Sequence, residues 1–259
     1  MNPMRYLLSL LCCLALAGLP AARADNLDKV LQSGTMRVAV VLDYAPFGSV
    51  GPDLKPQGFD IELAELLARA TGVKVELVPV TSANKIPYLI SQRADVLLNI
   101  GRNEERAKVV DFTQPYSPYY IGVFGPADVQ AGAAADLAGK SISVTRGSFE
   151  EVVLSKVAPP GATIQRFEDN NGTISAFLAG QTQLMAVGNI VAAAMLARNP
   201  ARKPEQKFLL LNSPVHAAVL KGETRLQAKV NEAIARLKSD GTLNKMALKW
   251  LNQPIPADL

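Results

Sequence analysis

Thr35-Met36-Arg37-Val38-Ala39-Val40-Val41, then Phe59 to Gly72 (FDIELAELLARATG), then Lys74 to Val80 (KVELVPV) are the runs that decide the fold class. The first is short, rich in β-branched residues and preceded by Gly34, which predicts a strand. In the second, Phe59, Leu63, Leu66, Leu67 and Ala70 recur at helical spacing while Asp60, Glu62, Glu65 and Arg69 fall elsewhere. That stripe predicts an amphipathic helix. Gly72 predicts its end, because glycine adopts the left-handed closing conformation without a Cβ clash. The third run is a strand again. A strand, a crossover helix and a further strand fit a parallel pair, since antiparallel neighbours need only a hairpin.

The same rhythm extends outward. Residues 86–92 predict a helix and 94–100 a strand, and a Gly- and Ala-rich stretch at 125–135 interrupts the alternation. A second series follows, with strands at 141–145, 162–167 and 183–187 and helices beginning at Ser148, Thr173 and Asn189. A strand at 207–211 ends at Ser213-Pro214. The C-terminal segment is helical, with one apolar stripe of Leu226, Val230, Ile234 and Leu237 and another of Leu243, Met246, Ala247, Trp250 and Leu251. Two α/β units of roughly a hundred residues each are therefore expected.

The N-terminus predicts export. Met1–Arg5 is a short positive segment, Tyr6–Leu19 an apolar run, and Ala22-Arg23-Ala24 a small-x-small cleavage signal, so residues 1–24 are expected to be a signal peptide removed after Ala24. The apolar run falls short of the roughly 20 residues of a membrane-spanning helix. Cys12 and Cys13, the only cysteines, lie inside this segment, and neither follows the small residue of a lipid-attachment site. The mature chain then has no disulfide, no thiol nucleophile and no cysteine metal ligand. Hydrophobic residues make up 49% of the chain, ample for packed cores. The net charge of +4 is mild and no basic run alternates with aromatics, so nucleic acid is not an expected partner.

Catalytic signatures are missing. His216 is the single histidine, and a lone strand histidine is usually structural. Neither H-E-x-x-H nor G-x-S-x-G occurs. Gly139-Lys140-Ser141 resembles the tail of a phosphate loop but precedes a strand, where a phosphate loop must open a helix. Asn171-Gly172-Thr173 matches a glycosylation acceptor and reads better as a turn followed by a Thr N-cap.

One stretch carries a binding argument, Ala94–Tyr116 (ADVLLNIGRNEERAKVVDFTQPY). A buried strand ends near Ile100, Gly101 turns the chain, and Asn103 caps a helix that places Arg106 in its first turn. A cation opposes the partial positive charge of a helix N-terminus. An anion between them removes the conflict, and a guanidinium beside free amides suits a carboxylate. The plainer alternative is a surface-helix arginine.

Gly34–Val40, Tyr44-Ala45-Pro46-Phe47, Gln57–Ala64 (QGFDIELA), Glu104–Phe112 (EERAKVVDF) with Pro115-Tyr116, and Asp240-Gly241-Thr242-Leu243 together resemble family 3 solute-binding proteins, the periplasmic receptors of polar amino-acid ABC transporters. The resemblance covers nearly all of the mature chain. It implies the type II, two-lobed periplasmic-binding-protein fold: an α/β architecture, each lobe a mostly parallel sheet flanked by helices, joined by two hinge strands. Residues 25–122 and 214–259 would form lobe 1 and 123–213 lobe 2, with the crossings near Ile121–Phe124 and Leu211–Pro214. It further implies that a small amino acid or related carboxylate binds between the closing lobes of a monomer, for delivery to a membrane permease. Arg106 would clamp the carboxylate, Tyr44 and Phe47 would wall the cleft, and Gly147-Ser148 would add a hydroxyl and amides. For Tyr44 and Phe47 the alternative is loop packing, and for Ser148 an N-cap. No metal, cofactor or catalytic residue is expected. A cyclohexadienyl-dehydratase-like enzyme shares the scaffold and is the alternative function.

Departures from the family pattern point to specificity. Gly101 stands where a Ser or Thr is usual, which brings in Asn99 or Arg102 as a compensating group, and Val41 replaces a common acid. Gly188, followed by Asn189, stands where amino-acid binders place the Asp that pairs with the α-ammonium. A buried ammonium without a carboxylate costs several kcal/mol, so either Glu168 or Asp169 substitutes, or the ligand's amine is absent, substituted or differently placed. Arg146 is a candidate second cation, and Asn84 a further polar cleft contact.

Overall fold

The computed structural model describes residues 25–259, and the expected signal peptide with its cleavage site lies outside them. The chain begins with α1 (Asn26–Ser33), β1 (Thr35–Val41), the short pair β2 (Ser49–Val50) and β3 (Pro56–Gln57), α2 (Phe59–Thr71) and β4 (Lys74–Val80). It continues through α3 (Lys85–Ile90), β5 (Val96–Ile100), α4 (Glu104–Ala107) and β6 (Val110–Ser117). A second set follows: β7 (Tyr120–Gly125), β8 (Ser141–Thr145), α5 (Phe149–Val157), β9 (Thr163–Phe167) and α6 (Asn170–Leu178), then β10 (Leu184–Gly188), α7 (Asn189–Ala197) and β11 (Glu205–Asn212). The chain then returns as β12 (Val215–Leu220), α8 (Thr224–Ser239) and α9 (Thr242–Leu251).

Two five-stranded sheets result, ordered β4-β1-β5-β12-β6 and β11-β7-β10-β8-β9. Each holds three parallel strands extended by an antiparallel pair. Val38, Ala39 and Val40 are fully buried, as a parallel strand covered on both faces requires. The α2 stripe is buried at Phe59, Leu63 and Leu67, worth about 1.5–3 kcal/mol for each large side chain. Gly72 ends the helix at φ 78°, as its position predicts. The C-terminal stripes are buried as well, on α8 at Leu226, Val230, Ile234 and Leu237 and on α9 at Leu243, Met246, Ala247 and Leu251.

The chain passes between the sheets at Pro118-Tyr119 and again at Ser213-Pro214. The first passage falls earlier than the expected 121–124. Ile121 to Phe124 are interior to the second sheet, paired with β10 on one side and β11 on the other. The helix expected from Thr173 also starts earlier. Asp169, and not Thr173, is its N-cap, with Oδ1 accepting from the Gly172 amide at 2.7 Å. His216 takes a structural place, with Nδ1 2.7 Å from the Thr113 carbonyl, and burial pushes its pKa down.

Candidate functional site

The β1 and β5 ends of the first sheet face the start of α5 and the β10 end of the second. They enclose a cavity of about 30 Å3, room for one or two waters. The first lobe contributes Tyr44, Lys85, Asn99 and Gly101, the second Phe149, Glu150 and Asn170, and Tyr119 lines the cavity from the passage between the sheets.

The first-lobe wall is cationic. Lys85, the first residue of α3, is 6% exposed and donates from Nζ to the Asn99 carbonyl at 2.7 Å. Burial, then the neighbouring Arg106 charge, pushes its pKa down to about 8. Arg106 is 7% exposed, and burial lowers it to about 10 against the opposing pull of Glu150. Its Nη1 donates to the Gly101 carbonyl at 3.0 Å, and its guanidinium lies 4.7 Å from the centre of the Phe149 ring. Neither cation lies within ion-pairing distance of a carboxylate among the described residues. Behind this wall Asp60 accepts from the Tyr116 hydroxyl at 2.8 Å and from Asn99 Nδ2 at 3.0 Å. Burial raises Asp60 to about 7.

The second-lobe wall carries one buried carboxylate. Glu150 is the second residue of α5, where the helix N-terminus favours negative charge. Its Oε1 accepts from the Tyr44 hydroxyl at 2.9 Å and from Tyr119, and the two phenols also touch each other. Burial, reinforced by the Glu150 charge, holds both phenols well above their ordinary pKa, so they remain donors. A direct bond between lobes runs beside this cluster. Asp43 accepts from the Asn170 amide at 2.7 Å and from Asn170 Nδ2 at 2.9 Å. At Gly147, φ 72°, a Cβ would lie 2.5 Å from Ala83 Cα, so the lobes meet backbone to backbone there.

Of the residues singled out from the sequence, Tyr44, Asn99 and Gly101 lie on the cavity. Arg106 is one layer back, with the Phe149 ring over it. Phe47 is fully buried behind the wall, stacked on Tyr44 at 6.1 Å and edge-on to Tyr119 at 6.0 Å. The remaining four have other partners. Asn84 closes the turn before α3 by accepting from the Thr81 amide, and Ser148 caps α5 by accepting from the Glu151 amide. Asn189 accepts from the Tyr120 amide, which ties α7 to β7. Arg146 pairs with Glu168 at 2.8 Å, and both side chains are half-exposed or more. Glu168 and Asp169, the acids expected to replace the missing one at Gly188, are thus a surface partner and a helix cap. Lys85, Tyr119, Phe149, Glu150 and Asn170 are among the lining residues that the sequence reading missed, with Ser82, Ser213 and Val215 beside them.

Several known proteins are similar to this chain. The chain is 29% identical over 237 residues to the L-cystine-binding protein of Escherichia coli strain K12, covering 88% of this chain and 87% of the relative. A solved solute receptor for L-cysteine from Neisseria gonorrhoeae superposes with a TM-score of 0.80 at 31% identity, over 86% of this chain and 92% of that one. Cyclohexadienyl dehydratase of Pseudomonas aeruginosa is 35% identical over 115 residues, 43% of each chain. The model of the bacterial extracellular solute-binding proteins, family 3, matches residues 36–253 and so spans both sheets. With two α/β lobes closed over a charged cavity, this chain belongs to that family.

Proposed function

We propose that this chain is the periplasmic amino-acid receptor of an ABC importer, with the ligand carboxylate held at Lys85 and Arg106 and the ligand ammonium at Glu150. The two crossings at 118–119 and 213–214 would act as the hinge, and the closed protein would deliver its cargo as a monomer to a membrane permease. The observation that carries this reading is the pair of buried cations, neither ion-paired among the described residues, opposite the buried carboxylate of Glu150 on the facing wall. Such charges are expensive to bury alone and favourable when a ligand of complementary charge completes them. The Phe149 ring lies against the Arg106 guanidinium, Nη1 is held by the Gly101 carbonyl, and Nε and Nη2, which have no hydrogen-bond partner among the described residues, are left for a carboxylate. Tyr44 and Tyr119 engage Oε1 of Glu150, and Oε2 accepts no hydrogen bond among the described residues. The names of the relatives put L-cysteine in a ligand panel, with L-cystine beside it as the long counterpart.

The test is a thermal-shift screen of L-amino acids, the matching α-keto acids and the matching amines. Stabilisation is expected only when carboxylate and amine are present together. Equal stabilisation by the keto acids would overturn the ammonium site.

A second reading, a dehydratase on the same scaffold, is favoured by the same Glu150, a cleft carboxylate that can act as a general acid. Turnover of prephenate or arogenate that is lost in Glu150→Gln would establish it and displace the receptor reading.

A further inference from the structure

Gly101, in the turn after β5, and Gly188, the last residue of β10, share an unusual property. Neither needs to be glycine for backbone reasons. Gly188 has φ −71° and Gly101 is outside the left-handed region, so any residue could adopt either conformation. Space forbids it. A Cβ on Gly101 would lie 2.1 Å from Cδ1 of Phe149, and a Cβ on Gly188 would lie 2.0 Å from the Tyr119 hydroxyl oxygen. Both separations are far inside van der Waals contact.

Phe149 belongs to the second lobe, so its ring crosses the cleft into a notch that Gly101 leaves in the first. The ring is held there on two sides, by Gly101 and by the Arg106 guanidinium. Tyr119 fills the corresponding notch at Gly188, and its hydroxyl is tied to Glu150. Both rings are only 8% exposed, and both line the cavity between Lys85 and Glu150.

We propose that Phe149 and Tyr119, admitted by Gly101 and Gly188, make the receptor prefer amino acids with short side chains over long ones. This inference rests on the receptor reading and deepens it. The rings leave the closed lobes only a water-sized cavity, so a ligand must push them or the lobes aside, and a short side chain asks for the least displacement. Phe149 is the stronger determinant, because it closes the cleft from the opposite lobe and shields Arg106 at the same time. Tyr119 sets the second boundary.

The test is calorimetric titration of wild type, Phe149→Ala, Gly101→Ala and the double variant with L-alanine, L-serine, L-cysteine, L-glutamine and L-arginine. Wild type should prefer the short ligands by about tenfold or more, and Phe149→Ala should reduce that preference by about tenfold. A ratio taken within one protein is unaffected by any loss of stability in the variant. Gly101→Ala should weaken short-ligand binding by about tenfold, because its Cβ meets the ring and props the lobes apart. Adding Phe149→Ala should restore most of the loss. A wild-type preference for long side chains, an unchanged ratio in Phe149→Ala, or a double variant no better than Gly101→Ala would overturn this inference and leave the receptor reading standing. Binding of none of the five by any of the four proteins would overturn this inference, while the thermal-shift screen of all L-amino acids decides the receptor reading separately.

Discussion

The first-lobe side of the cleft has Lys85 on its wall and Arg106 one layer behind it, and the second-lobe wall presents Glu150 with two phenols hydrogen-bonded to it. On the proposed reading one wall receives an anion and the other a cation. The difference assigns an orientation to any amphoteric ligand, because the reversed molecule would put like charges together, which costs several kcal/mol. It also separates two tasks. The cationic wall can hold a carboxylate before the lobes meet, and the acidic wall reads the amine only as they close.

Three measurements break or sharpen this contrast. The largest effect is expected from Arg106→Ala, about 2–5 kcal/mol of binding lost in calorimetry. Its melting temperature should hold or rise, since the variant no longer buries an unpaired cation. Unchanged affinity would remove Arg106 from the anion wall. Next comes Glu150→Gln, which should lower affinity for amino acids by about 1–3 kcal/mol while barely changing binding of a matched carboxylate without an amine. Equal losses for both ligands would mean that Glu150 shapes the cleft and does not read the amine.

The smallest effect is a pH dependence at Lys85, whose pKa is lowered to about 8. Binding that uses its charge should be level below that pH and fall as pH rises through it, by up to about tenfold per unit. Stability runs the other way. Between about pH 8 and the ordinary lysine value of 10.5 the unfolded chain binds more protons than the folded one. The cost of burying the charged lysine is thus fully present below pH 8 and fades as pH rises toward 10.5. Lys85→Met should flatten both curves. A wild-type affinity that stays level through pH 9 would take Lys85 out of the anion wall.

The fold was legible because hydrophobic period is a property of local sequence. The alternation of runs such as Thr35–Val41 with stripes such as Phe59, Leu63 and Leu67 survives into both sheets. The crossing at 118–119 was less legible, because β7 reads as a strand without revealing which sheet it joins. The two walls differ in the same way. Arg106 was visible through its conflict with the helix N-terminus that Asn103 caps. Glu150 carried no such signal, because an acid in a first helical turn is already explained by the helix dipole, and Glu151 beside it fits that explanation equally. Lys85 reads as a surface residue in any sequence, since lysines are rarely buried. Phe149 and Tyr119 were foreshadowed only indirectly, by the two glycines that make room for them. Arg146, Asn84 and Asn189 were chosen as polar groups at strand ends and loops expected near the cleft, and local partners claim each of them.

The bidentate bond from Asp43 to Asn170 bears on kinetics more than on choice. It joins the lobes without passing through a ligand, although Asn170 also lines the cavity. A latch of that kind would favour the closed form whatever the cargo and would lengthen the residence of a bound ligand. Asp43, which is not on the cavity, would then act as a timer beside the walls that select.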